Sequence, residues 1–85
     1  MVWHIKWSKT AEKQLSRIDG KNAQKIVTKL EEITLDPYAY TEELTGFDLR
    51  KLRVGNNRVI LGIERQKMII FVVEVGHRSK IYKNY

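Results

Sequence analysis

Residues 50–61 have the sequence RKLRVGNNRVIL, in which two alternating segments flank a short turn. Leu49 to Val54 alternates apolar and basic side chains, a pattern typical of a strand that buries one face. Gly55-Asn56-Asn57 supplies residue types that tolerate positive φ, which a tight hairpin needs. Arg58 to Glu64 then alternates again. The stretch therefore predicts a β-hairpin that carries basic side chains on one face.

Two short helices are predicted before this hairpin. Ala11, Leu15 and Ile18 recur at helical spacing after Ser8, a residue type that caps helix N-termini. Asp19-Gly20 interrupts the pattern. A second apolar stripe then ends at Asp36-Pro37, and its members are Ala23, Ile26, Val27, Leu30 and Ile33. Two helices joined so tightly should bury their apolar stripes against a sheet.

Further strands at both ends complete that sheet. Trp3 to Trp7 alternates, whereas Met68 to Val75 is apolar on both faces, as a central strand is. Residues 36–48 are predicted to be an irregular connection, and residues 77–85 a short polar tail. The predicted order is β-α-α-β-β-β. It corresponds to a single α+β domain, residues 1–85, with a mainly antiparallel sheet and the helical hairpin on one face.

The positive charge is concentrated in the C-terminal part. Residues 50–85 carry nine Lys or Arg and two Glu, whereas residues 1–49 carry seven Lys or Arg and eight Asp or Glu. The net charge is +6 and the pI is about 9.7. This asymmetry favours a nucleic acid or an acidic protein as the partner. A soluble basic protein without such a partner would carry the same charge.

The composition excludes several classes of protein. The chain has no cysteine, which excludes disulfides, thiol nucleophiles and Cys-ligated metals. Only Glu64 and Glu74 lie in the basic part, so neither a two-metal site nor another cofactor is expected. The longest apolar run, residues 68–73, is far too short for a membrane span. The first residues lack the apolar core of a secretory signal, and a cytoplasmic protein is expected.

The basic hairpin, Val75-Gly76-His77-Arg78 and Tyr82 together resemble the RelE/ParE superfamily of bacterial and archaeal toxins. The resemblance extends over nearly the whole chain and includes the helical hairpin and Leu44-Thr45-Gly46. Its most specific part is the spacing from the basic strand to Gly-x-x-Arg, then Gly-His-Arg, then Tyr. Any one of these fragments alone would be a weak signal.

Members of this superfamily differ in function. RelE-type toxins are ribosome-dependent endoribonucleases that cut messenger RNA in the ribosomal A site. ParE-type toxins poison DNA gyrase and are not nucleases. The resemblance implies the toxin of a type II toxin–antitoxin system, and we expect the RelE-type activity. The alternatives are a ParE-type gyrase inhibitor and an inactive binding module with the toxin fold.

The resemblance implies a catalytic set, and RNA chemistry explains its composition. RNA supplies its own nucleophile, the 2′-OH, so the protein must align it, move two protons and stabilise charge on the phosphorane without a metal. Arginines stay protonated and suit phosphate contacts, whereas lysine, histidine and tyrosine can move protons. The implied catalytic residues are Lys51, Arg53, Arg58, His77, Arg78 and Tyr82.

Individual roles remain open among these residues. Lys51 can act as a base only when neutral, a state that the neighbouring charges of Arg53 and Arg58 favour. His77 can be base or acid, and Tyr82 can relay a proton or stack on a nucleobase. Further cations can contact RNA phosphates without reading sequence; the candidates are Lys25, Lys29, Arg50, Lys80 and Lys83.

Each candidate also has a purely structural interpretation. Lys51 and Arg53 would form the solvated face of an edge strand, and Arg58 would pair with Glu74 across the sheet. His77 would be an ordinary turn residue. Tyr82 would pin the tail to the core, and the helical lysines would be a solvated face.

The resemblance implies three macromolecular partners. They are a RelB-like antitoxin, the ribosome and messenger RNA. The antitoxin is expected to be an acidic or amphipathic segment that wraps the basic face and folds as it binds. No membrane partner is expected, and the free toxin is expected to be a monomer.

Overall fold

The computed structural model describes residues 2–81. Its elements are β1 (His4–Trp7), α1 (Lys9–Ser16), α2 (Gly20–Ile33), β2 (Glu42–Glu43), β3 (Arg50–Val54), β4 (Asn57–Glu64), β5 (Ile69–His77) and α3 (Arg78–Ile81). The sheet order is β1-β5-β4-β3-β2. β1 runs parallel to β5, and the other neighbours are antiparallel. The predicted α+β fold with a mainly antiparallel sheet is confirmed.

The main core lies between the sheet and the helical hairpin. From the helices it takes Ala11, Ile26, Leu30 and Ile33, and from the sheet Leu52, Val59, Leu61, Ile70, Val72 and Val75. The predicted packing of both helices on one face is therefore confirmed. α1 is shorter than the Ala11–Ile18 spacing suggests, because it ends at Ser16, but Ile18 still packs against this core.

The other face of the sheet has its own small core, and here the prediction of a polar tail is wrong. His77 is the last residue of β5, and the chain then forms α3. Ile81 of α3 packs with Ile60 of β4 and with Leu44, which precedes β3. Ile60 is fully buried, so β4 is covered on both faces at this point. The single apolar residue at the end of α3 provides the hydrophobic contact that places the helix on the sheet.

The connection before the hairpin is also more regular than predicted. Residues 36–48 contain β2, which pairs Glu42 with Lys51 and Glu43 with Arg50. Two glutamates make a poor strand by propensity. They are held here because each faces a cation of β3, a cross-strand pairing that favours this register.

Helix α1 closes the part of β5 that β1 does not reach. β1 ends at Trp7, opposite Val72. Beyond it, Ser8 Oγ donates a hydrogen bond to the carbonyl of Val73 at 2.8 Å, and Gln14 Oε1 accepts one from the backbone N–H of Val75 at 2.7 Å. The N-cap residue Ser8 and the α1 side chain of Gln14 thus satisfy strand groups that would otherwise be unpaired.

The β3–β4 turn has the conformation that its sequence favours. Val54 pairs with Asn57, which leaves Gly55 and Asn56 as a two-residue loop. Gly55 has φ +60°, whereas Asn56 does not have a positive φ. This pattern matches a type II′ turn, in which glycine occupies the first central position.

Asp19 caps α2, and its titration gives a testable pH dependence. Its carboxylate accepts hydrogen bonds from the backbone N–H and from the side chain of Asn22, and these hold the pKa of Asp19 below its usual value of 3.8. A carboxyl group whose pKa is lowered on folding stabilises the folded state at pH values above its usual pKa, and this contribution is lost as the pH falls through the lowered pKa.

We expect Asp19→Asn to lower the melting temperature at neutral pH and to match the native protein in strong acid. Thermal unfolding followed by circular dichroism against pH measures this. Asp48→Asn, in the exposed loop before β3, is the control, and an equal pH dependence in both variants would contradict the assignment.

Candidate active site

The hairpin and β5 bring basic residues together on the sheet face that α3 covers. Arg53 lies directly opposite Arg58, and Arg58 lies opposite Gly76 on the next strand. Directly opposed residues point to the same side of a sheet. Lys51 is two residues from Arg53 and therefore shares this side. We call this surface the basic face; it comprises Lys51, Arg53 and Arg58 of the sheet together with Arg78 and Lys80 of α3.

Arg58 is the buried member of the basic face. Its side chain donates through Nη1 to the carbonyls of Gly55 at 2.7 Å and Asn57 at 2.8 Å, and the residue is only 5% exposed. Its cross-strand partner is Gly76, while Glu74 lies opposite Ile60. The arginine is therefore held by backbone carbonyls of the turn. In this arrangement it fixes the shape of the turn and contributes positive charge from beneath the surface.

Arg53 and Arg78 are the exposed guanidinium groups of the basic face. The backbone N–H of Arg78 donates to the carbonyl of Asn56 at 2.9 Å, which ties the start of α3 to the β3–β4 turn. One turn is thus held by Arg58 from the inside and by the main chain of Arg78 from the outside. Both exposed arginines can present a planar donor pair to a phosphate.

The strand β2 changes what Lys51 can do. Its Nζ lies 3.5 Å from Oε2 of Glu42, and the side chain is 27% exposed. Lys51 therefore enters the site as one half of an ion pair, an arrangement that suits a contact to negative charge better than the general-base role considered from the sequence. The sequence prediction missed this contact because it treated residues 36–48 as irregular.

His77 is held by the residue two positions later. The backbone N–H of Ser79 donates to its Nδ1 at 3.1 Å, and Ser79 Oγ lies 2.8 Å from the same nitrogen. A backbone N–H can only donate, so Nδ1 is the acceptor and the neutral ring carries its proton on Nε2. In this tautomer Nε2–H is a hydrogen-bond donor, whereas the acid role predicted for His77 requires the imidazolium, whose Nδ1–H can donate to Ser79 Oγ instead.

The remaining cations divide into two groups. Arg50 is committed to the preceding loop, because its Nε donates to Thr41 Oγ1 at 2.7 Å and its Nη2 donates to the Thr41 carbonyl at 2.8 Å. Its guanidinium also stacks over Tyr38 at 5.1 Å. Lys25 and Lys29 of α2 instead line a shallow groove of about 410 Å³ together with Arg53. The structure therefore joins the helical lysines to the basic face and uses Arg50 as a structural anchor. Two predicted residues, Tyr82 and Lys83, lie outside the described part of the chain.

A cleft beside the basic face contains polar residues that the sequence prediction missed. It has a volume of about 640 Å³ and lies between the α1–α2 corner, the β3–β4 turn and the start of α3. Arg17, Asn22 and Asn57 line it together with His77 and Lys80. In the sequence these residues have only local meanings, as helix-terminal or turn residues. Their proximity depends on how the helical hairpin is placed against the sheet.

The described residues show no metal-binding group. Within residues 2–81, no three His, Asp or Glu side chains cluster in a way that could hold a metal ion. No helix in that range is both long and apolar enough to cross a bilayer.

Comparison with known proteins identifies the family. The sequence model of the ParE toxin of the type II toxin–antitoxin system parDE matches residues 5–82. The chain belongs to this toxin family. The resemblance to the RelE/ParE superfamily inferred from the basic hairpin is thereby confirmed, and the protein is the toxin of a type II toxin–antitoxin system. A search of curated protein sequences finds no match to it.

Solved structures of both branches of the superfamily share the toxin's fold. A chain of the RelBE2 complex from Mycobacterium tuberculosis aligns with a TM-score of 0.86 at 16% identity, over 94% of this chain and 95% of that one. A mutant of the free Escherichia coli toxin RelE aligns at 0.79 and 23% identity, over 98% and 90%. A chain of the chromosomal ParDE system from Pseudomonas aeruginosa aligns at 0.68 and 13% identity, over 89% and 96%. At these identities the likeness establishes the fold, and the activity must be argued from the site.

Proposed function

We propose that this toxin is a ribosome-dependent endoribonuclease that cleaves messenger RNA in the ribosomal A site and so inhibits translation. The observation that carries the proposal is the basic face, where Arg53 and Arg78 are exposed around a turn that Arg58 and the Arg78 main chain hold. Charges fixed before the reaction stabilise a developing phosphorane without further reorganisation.

In the proposed reaction each of these groups has a separate role. The 2′-oxygen attacks the adjacent phosphorus, the bond from phosphorus to the 5′-oxygen breaks, and a 2′,3′-cyclic phosphate and a 5′-OH result. Arg53 and Arg78 contact the non-bridging oxygens, and the ammonium of Lys51 adds positive charge. His77 acts in this step as the imidazolium, with Nδ1–H directed at Ser79 Oγ, and donates its Nε2 proton to the leaving 5′-oxygen, which returns the ring to the neutral form. The superfamily resemblance adds Tyr82, which takes the proton of the 2′-OH as it passes its own phenolic proton to solvent.

The ribosome supplies what so small a domain lacks. A chain of 85 residues offers limited surface for gripping RNA on both sides of the cut. Cleavage requires the 2′-oxygen, the phosphorus and the leaving oxygen to be nearly in line, and alignment alone contributes much of a rate enhancement. Binding of the messenger in the decoding site bends the RNA into this in-line arrangement. Lys25 and Lys29, which lie beside Arg53, contact phosphates of ribosomal RNA.

A RelB-like antitoxin is the proposed protein partner. Several solved structures that share the fold are described as RelB–RelE complexes, including those from Pyrococcus horikoshii and Methanococcus jannaschii. We propose that the antitoxin of this chain is acidic where it covers Arg53 and Arg78, and that the free toxin is a monomer. Covering the basic face would neutralise its charge and block access of RNA.

A second candidate function is inhibition of DNA gyrase without cleavage of nucleic acid. The match to the ParE family model over residues 5–82 favours it. On this alternative the exposed arginines would serve as binding contacts, and toxicity would not depend on groups that transfer protons.

Primer extension on a defined messenger, with purified toxin and programmed 70S ribosomes, tests the proposal. We expect cleavage within the A-site codon when ribosomes are present and no cleavage of free messenger. Absence of cleavage in both reactions would exclude the nuclease. Inhibition of gyrase supercoiling by the same preparation would then establish the second candidate.

A further inference from the structure

We infer that the cleft beside the basic face is a binding subsite for one nucleobase of single-stranded RNA. The inference rests on the proposed nuclease function. Of the five predicted catalytic residues that lie within residues 2–81, only His77 lines this cleft. The cleft volume of about 640 Å³ lies within the range of small-molecule sites.

The cleft continues directly from the basic face. Asn57 pairs with His77, and the next rung of the same ladder is Arg58 with Gly76. Successive residues of a strand point to opposite faces, so the two surfaces meet around the end of β5, where Lys80 of α3 belongs to the basic face and also lines the cleft. An RNA strand whose phosphate lies on the basic face therefore has its neighbouring nucleotide at the mouth of the cleft.

The polar groups in the cleft suit a base better than a phosphate. Asp19 and Glu74 contribute carboxylates to the lining, and carboxylates repel phosphate. Amide oxygens accept hydrogen bonds from the N–H groups of bases, and amide NH₂ groups donate hydrogen bonds to the acceptor atoms of bases. The same carboxylates argue against an acidic peptide as the occupant.

Two of the amides are held in place before any ligand arrives. Gln14 Oε1 accepts the hydrogen bond from the Val75 N–H at 2.7 Å, which leaves its NH₂ as a donor. Asn22 Nδ2 donates to Asp19 Oδ2 at 2.7 Å, which leaves its Oδ1 as an acceptor. A fixed donor and a fixed acceptor recognise a base edge at little entropic cost.

Planar groups for stacking come from two separate elements. Arg17 follows α1 and His77 ends β5, and both line the cleft and are exposed. Bases splayed out of single-stranded RNA stack on guanidinium planes and on histidine rings. Lys80 also lines the cleft and can hold the phosphate that joins the two nucleotides.

Binding of an RNA that cannot be cleaved tests the subsite independently of catalysis. The probe is a 2′-O-methyl adenosine trinucleotide, titrated into ¹⁵N-labelled toxin, with a trinucleotide that lacks the central base as its partner. We expect the side-chain NH₂ signals of Asn22 and Asn57 to shift with the full trinucleotide and to shift much less with the abasic one. Equal shifts with both probes, or no shift with either, would overturn the inference.

Arg17→Ala and Lys13→Ala form a matched pair on α1. Both remove one exposed cation, but Lys13 does not line the cleft. We expect Arg17→Ala to raise the Kd for the full trinucleotide about fivefold or more, the size of one lost stacking contact. Lys13→Ala should change it by less than about twofold, as loss of one distant charge does. Equal effects of the two variants would show that overall positive charge, and not a contact in the cleft, accounts for binding of the trinucleotide, and would contradict the inference. If the probe binds as expected and ribosomes yield no cleavage, the subsite stands and the proposed nuclease function falls.

Discussion

Arg78→Ala is expected to reduce the rate of ribosome-dependent cleavage by at least about a hundredfold, the usual cost of removing one preorganised donor to a developing oxyanion. The main chain of Arg78 is fixed to Asn56 by a 2.9 Å hydrogen bond, so the backbone from which the side chain extends has a defined position. Its side chain is exposed. Loss of the side chain should therefore affect the transition state and leave folding almost unchanged.

Single-turnover cleavage on programmed ribosomes measures this effect, with the melting temperature as the check on folding. Lys67→Ala is the matched control, because Lys67 is an exposed cation in the β4–β5 turn, away from the β3–β4 turn that holds Arg78. Cleavage by Arg78→Ala within tenfold of the native rate would remove this residue from the site. Full toxicity of Arg78→Ala in cells, together with inhibited gyrase, would favour the ParE-type function.

Arg58→Ala is expected to lower the free energy of unfolding by about 2–3 kcal/mol. The largest contribution is the buried stem, since two methylene groups, Cγ and Cδ, are removed from the buried environment at about 0.8 kcal/mol each. Loss of the two hydrogen bonds to turn carbonyls adds to this destabilisation. Two effects oppose it: the variant no longer has to bury a charge, and the repulsion between Arg58 and the opposed Arg53 is removed. Packing should dominate because the residue is only 5% exposed.

Arg53→Ala provides an unusually close comparison for this prediction. Arg53 and Arg58 are directly opposed on β3 and β4 and carry the same charge, but Arg53 is exposed. We expect its removal to change stability by less than about 0.5 kcal/mol. Arg58→Met keeps an apolar stem without the hydrogen bonds and should fall between the two. Urea unfolding of the three variants gives the ranking, and an Arg58→Ala variant as stable as Arg53→Ala would show that the buried guanidinium is not structural.

Arg53 and Arg58 show which properties a sequence pattern predicts and which depend on a tertiary contact. Alternation along β3 and β4 predicted that Arg53 and Arg58 would share a face, and they do. It did not predict which one would be buried. That outcome depends on the conformation of the β3–β4 turn, in which the carbonyls of Gly55 and Asn57 accept hydrogen bonds from the guanidinium of Arg58.

The misjudged segments have a common cause. β2 consists of two glutamates and α3 of four residues, so neither contains enough residues to show a hydrophobic period. β2 forms because Lys51 and Arg50 lie opposite its carboxylates, and α3 forms over Ile60 because Ile81 can be buried there. Both elements depend on surfaces that exist only once the sheet has formed.

The sequence by itself determined the elements that are long enough to carry a period, the family, and the side of the sheet on which the basic residues lie. These properties follow from local alternation and from spacing along the chain. Tertiary structure alone decided that Lys51 faces Glu42, that His77 presents Nε2, that Arg50 anchors a loop, and that Arg17 and Asn22 share a cleft with His77. The contact of His77 with Ser79 spans only two residues but depends on α3, which forms on the sheet. The other contacts join different elements, and only packing of the helical hairpin and of the small elements on the sheet brings their atoms within hydrogen-bonding or Coulombic range.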